Sequence, residues 1–132
     1  MYKRTAFAAL LLIACGGPMK YLVNSQPKIP GARANVVART EKEMGKTDLT
    51  LRAEFLPPPV TIGAAYKYYV AWYVPKDRPA VRLGALKYDE SSRLAEMNTS
   101  VPEMSFKFIV TCEAENQVPN PGADLVFEQQ VN

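Results

Sequence analysis

A cysteine that closes a short apolar run behind a positive start can become a site of lipid attachment, and Cys15 stands in that setting. Lys3 and Arg4 supply the charge, Ala6 to Ala14 supply the apolar run, and Leu12-Ile13-Ala14 lead into the thiol. This is the layout of a bacterial secretory signal ending in a lipobox, in which the cysteine is acylated and becomes the mature N-terminus. Gly16, Gly17 and Pro18 interrupt the run well before the ~20 apolar residues a membrane-crossing helix needs. The sequence therefore predicts a signal peptide over residues 1–14 and lipidation, of the palmitate type, on Cys15. Cleavage by an ordinary signal peptidase after Ala14 is the alternative, and it would give a freely secreted chain.

The remaining reactive side chains form no catalytic set. Histidine is absent, which removes the commonest general base and metal ligand. Cys112 has no intrachain partner if Cys15 carries lipid; a Cys15–Cys112 bridge would need the signal to be retained or cut upstream. Its neighbours at alternate positions are Phe106, Phe108 and Val110, a setting that predicts a buried thiol of raised pKa. Glu113 and Glu115 would share one face of a strand, yet two carboxylates without further oxygen ligands make a weak calcium site. They read as a solvated face, as does Asp89-Glu90. No catalytic residue, metal site or cofactor is expected. Among the aromatics Tyr66, Tyr68, Tyr69, Trp72, Tyr73 and Tyr88, Trp72 is assigned to the core. Tyr69 and Tyr73 lie on the opposite face of the same strand and are the candidate binding face, because tyrosine contributes large contact area at low entropic cost.

These side chains must be positioned by strands. Residues 15–32 contain Pro18, Pro27 and Pro30 with few large apolar side chains, which predicts a flexible tether. Residues 33–132 alternate in short strands and turns. In Asp48 to Phe55, Leu49, Leu51, Ala53 and Phe55 fall on one face, and Pro57-Pro58-Pro59 end the segment. Tyr66 to Val74 is apolar on both faces, which marks a central strand. Further strands are expected over 35–39, 81–88, 93–99, 106–113 and 125–131. About seven short strands without a helix predict a single all-β antiparallel sandwich of the immunoglobulin or fibronectin III kind, with a small closed barrel as the alternative.

The order Leu56-Pro57-Pro58-Pro59, Tyr69-Val70-Ala71-Trp72, Leu83-Gly84-Ala85-Leu86 and Phe106-Lys107-Phe108-Ile109-Val110-Thr111 with Glu113 is similar to the outer domain of anti-sigma-K-type regulators. The resemblance covers roughly residues 50–128 and implies a small extracytoplasmic β-sandwich. Those regulators also have a cytoplasmic helical domain and a transmembrane helix, for which this sequence shows no counterpart, so sigma-factor sequestration does not carry over.

Charge narrows the partners. Removing Lys3 and Arg4 from 16 basic side chains nearly balances them against 13 acidic ones, and no cationic cluster argues for nucleic acid. The roughly 120 residues after the signal suffice to bury a core. The expectation is a non-catalytic, membrane-anchored envelope lipoprotein, held through lipid on Cys15, that binds or scaffolds an envelope protein, peptide or glycan. A sensor module reporting to a membrane regulator is the second reading, and a small secreted enzyme the third. Gly16 is not the aspartate that retains enterobacterial lipoproteins at the inner membrane, so the outer membrane is expected in a cell that has one.

Overall fold

The computed structural model describes residues 17–132; Cys15 and the signal lie outside the described residues. The strands are β1 (Met19–Asn24), β2 (Arg33–Glu41), β3 (Lys46–Glu54), β4 (Tyr68–Val74), β5 (Val81–Ala85), β6 (Lys87–Asp89), β7 (Leu94–Val101), β8 (Phe106–Glu113) and β9 (Leu125–Val131). They form two antiparallel sheets, one in the order β1-β2-β3-β7-β6 and one in the order β5-β4-β8-β9. The chain is an all-β sandwich.

The first sheet obeys the period of two. Val36, Leu49, Leu51 and Ala53 are buried, while Arg52 pairs with Glu96 at 2.7 Å on the solvent face. Such ladders are screened by water and contribute little. The alternation stops at Ala53, however. Phe55 takes a left-handed φ of 58° and is 59% exposed, and Leu56 turns inward in its place.

The predicted tether is corrected. Residues 19–24 pair with β2 from Met19↔Ala38 to Asn24↔Arg33, and the turn that follows buries Ile29 and Ala32. Pro27, Pro30 and Gly31 fall in that turn, and their turn chemistry concealed the strand before it and the two core side chains within it. Residues 19–32 belong to the folded domain, which therefore does not begin at residue 33.

The two sheets are drawn together along both edges. Gln26 N–H donates to the Val126 carbonyl at 2.9 Å beside β1 and β9. On the other side Leu86 passes the chain from β5 to β6 and donates its N–H to the Tyr69 carbonyl at 2.8 Å. Gly84, at φ +145°, sits there opposite an irregularity in β4 between Ala71 and Trp72. A side chain at that φ would be strained, so glycine lets the strand bend into the corner.

Candidate functional site

The register of β4 decides where the predicted binding tyrosines go. Tyr69 pairs with Cys112, Ala71 with Val110 and Tyr73 with Phe108, and directly opposed residues share a face. That face is the inner one. Tyr69 is 1% and Tyr73 6% exposed, Tyr69 meets Tyr88 edge-on at 5.4 Å, and its hydroxyl donates to the Pro57 carbonyl. Tyr73 packs edge-on against Phe106 at 6.1 Å. The candidate face Tyr69/Tyr73 is thereby corrected: both are core.

Trp72 is fully buried, but on the opposite side of β4. There Val70, Trp72 and Ile109 form a second small cluster, covered by Val74, Ala80, Val118 and Leu125. The loops over 75–80 and 114–124 thus close the outer face of this sheet. A polar chain runs beneath them. Trp72 Nε1 donates to Thr111 Oγ1 at 2.9 Å, Thr111 donates to Glu113 Oε2 at 2.6 Å, and Gly122 N–H donates to the same oxygen at 2.7 Å. A Cβ on Gly122 would stand 3.1 Å from Glu113 Oε1, so glycine permits the loop to close on the carboxylate. Glu113 is buried and committed to this network, whereas Glu115 lies exposed in a bend. The two do not form a joint carboxylate site.

Cys112 is a free, buried thiol, and burial pushes its pKa up to about 12. Burial likewise raises Tyr69 and Tyr88. All three are protonated in the fold and more acidic when unfolded. Their contribution to stability is therefore full below the unfolded values, about 8.5 for cysteine and 10 for tyrosine, and is lost as pH rises toward the folded ones. The melting temperature is expected to hold from pH 7 to about 8.5 and to fall beyond. In the native state Cys112 should resist a thiol reagent at pH 8, then react fully in denaturant; rapid native labelling would contradict its burial.

Sequence reasoning missed the surface at the proline-rich end of the sandwich. Three segments meet there: the β1–β2 turn, the β3–β4 connection over 55–67, and the β8–β9 loop. Asp124 joins all three, accepting from Lys28 Nζ at 2.7 Å and from the Tyr66 hydroxyl. Those two bonds hold the Asp124 carboxyl below the usual carboxylate range, raise Lys28, and push Tyr66 up to about 12. At neutral pH the aspartate is ionised and its partners are protonated, so no member is poised for proton transfer. Beside this triad is a groove of about 200 Å³ lined by Lys28, Ile29, Pro30, Pro57, Thr61 and Ile62.

Phe55 and Val60 protrude from the same end, 59% and 56% exposed. The Arg33 guanidinium lies 5.4 Å from the Phe55 ring centre, a cation–π contact that steadies an exposed aromatic. A left-handed φ is strained for so bulky a residue, and such strain gathers at functional positions. The signals available in sequence were Pro57-Pro58-Pro59 and the adjacent apolar pair Phe55-Leu56, at which strict alternation ends.

Among the described residues no group of three or more histidine, cysteine, aspartate or glutamate side chains could hold a metal ion. Compared with family models, with curated proteins and with solved structures, the chain matches none.

Proposed function

We propose that this protein is a non-catalytic envelope lipoprotein, anchored through Cys15, that uses the proline-rich end of its sandwich to bind a protein or peptide. The observation that carries the binding part is the conjunction at that end of a groove of mixed polar and apolar lining, a charged rim and the exposed, strained Phe55. The groove is below the ~300 Å³ floor of ordinary small-molecule pockets but has room for a side chain of a larger partner. Aromatic and arginine anchors beside apolar recesses are the features that dominate recognition surfaces. The anchoring part rests on Lys3-Arg4 and Leu12-Ile13-Ala14-Cys15. The non-catalytic part rests on the chemistry above: Cys112 and Glu113 are buried, and the charge of Asp124 is paired with Lys28.

Photoreactive side chains at Val60 and Thr61, tested in intact cells, should give discrete adducts that a probe at Asn98 on the first sheet's solvent face does not. Arg33→Ala should weaken the adduct without lowering the melting temperature by more than about 1 kcal/mol equivalent, since the arginine's contacts are exposed. Adducts of equal yield from all three positions, or from none, would contradict a binding role for this end.

A further inference from the structure

Met19 opens β1, so only three residues separate it from Cys15. Fully extended, that span reaches about 14 Å. The strands reach nine residues in length, about 30 Å, so one end of the sandwich is confined near the lipid and the proline-rich end is held away from it. The confined end contains the start of β1, the β2–β3 hairpin, the β4–β5 and β7–β8 loops and the end of β9, as the pairs Glu41↔Lys46, Thr47↔Val101, Val74↔Lys107 and Phe106↔Val131 require. These parts are fastened together: the Thr47 hydroxyl donates to the Glu103 carbonyl at 2.8 Å, and Arg78 pairs with Glu103.

The surface composition of this hairpin end suits an interface with lipid. Met19, Met44 and Met104 are 51%, 65% and 43% exposed, and all three lie here; the one other described methionine, Met97, is partly buried against the core. Flexible apolar side chains of this kind adapt to an irregular apolar boundary. A cleft of about 430 Å³ opens at the same end, with Lys76, Ser105, Lys107 and Gln130 in its lining. Lys107 also meets Glu128 at 2.8 Å. Lys20 and Lys42 add cations nearby, Lys42 lying between Glu41 and Glu43, while Lys46 pairs with Asp48 at 3.5 Å and Asp77 stands beside Lys76.

Building on the reading of Cys15 as acylated, we propose that the hairpin end docks on the anionic bilayer surface that holds the lipid, with the three methionines at the interface and Lys76 and Lys107 toward headgroup phosphates. Anionic leaflets attract cations only within a Debye length, about 8–10 Å at physiological salt, and a span of at most about 14 Å lets this end come within that range. The proline-rich end then faces outward, free for a partner.

The full chain carrying Met44→Cys, Met104→Cys or Val60→Cys, each labelled with a fluorophore, tests this in vesicles of phosphatidylcholine and phosphatidylglycerol bearing a headgroup nitroxide lipid. Quenching at Met44 and Met104 is expected to exceed that at Val60 by roughly threefold or more, since depth separates the two ends. Charge reversal by Lys76→Glu with Lys107→Glu should reduce that difference. Equal quenching at the two ends, in protein whose mass shows acylated Cys15, overturns the docking while leaving the lipoprotein reading intact. If the mass shows no acyl chain, the lipoprotein reading fails by itself, and the same variants, now also carrying Cys15→Ser so that only the introduced cysteine takes the label, are added to the vesicles from solution. Selective quenching at Met104 then sustains the docking surface, and its absence overturns it.

Discussion

A chain shortened to begin at Arg33 is expected to lose about 4–6 kcal/mol of stability. The truncation removes β1, and with it the buried Val23 together with Ile29 and Ala32 of the following turn. It also opens Arg33 to Ala38 of β2 as an unpaired edge, because Met19 to Asn24 pair with them residue by residue. Two large aliphatic side chains at 1.5–3 kcal/mol each, with the alanine and the exposed inner ends of Val36 and Ala38, amount to roughly 4–6 kcal/mol. That equals the whole stability at the low end of the usual range of about 5–15 kcal/mol and about a third of it at the high end. The bared edge should in addition promote aggregation. Trp72, the single tryptophan, is wholly buried and supplies the fluorescence readout for denaturant unfolding. A shortened chain with an unchanged midpoint would restore the tether that the sequence suggested.

The second large effect is expected at Trp72 itself. Trp72→Ala should cost about 3–5 kcal/mol, because it empties a space enclosed by the sheet and two loops and strips the Thr111 hydroxyl of its donor. Trp72→Phe keeps most of the ring volume but leaves the hydrogen bond unmade, so about 1–2 kcal/mol is expected. The loss should fall first on the 114–124 loop, whose Gly122 is held by the carboxylate at the end of the same chain. Circular dichroism gives the midpoints, and hydrogen exchange at Gly122 reports the loop. A cost under 1 kcal/mol for the alanine variant would mean that the outer cluster is not closed.

The same strand shows where sequence legibility ended. In β3, Leu49, Leu51 and Ala53 alternate with Thr50, Arg52 and Glu54, and period two alone marked the buried face. In β4 both faces are apolar, so alternation carried no sign, and Trp72 was given to the inter-sheet core in place of Tyr69 and Tyr73. Trp72 is covered in part by loop residues, Ala80 and Val118, beside the strand ends at Val74 and Leu125, and loop packing leaves no period in the sequence. The all-β sandwich was legible because strands and turns alternate from residue 33 onward. β1 was not, because Met19 to Asn24 is short and is followed by Pro27 and Pro30, whose turn hides the burial of Ile29. The Lys28–Asp124–Tyr66 triad joins residues up to 96 positions apart, a juxtaposition that only the closed fold creates.

Both the proposed anchoring and the proposed orientation of the partner surface depend on what happens to Cys15. The most direct measurement is the mass of the mature N-terminus, made on wild type and on Cys15→Ser expressed in a bacterial host and partitioned between detergent and water. The account predicts that wild type enters detergent with an acylated Cys15 as its first residue, and that the serine variant does not. Wild type that stays in water with an unmodified thiol would contradict it, and would make the protein a freely secreted sandwich.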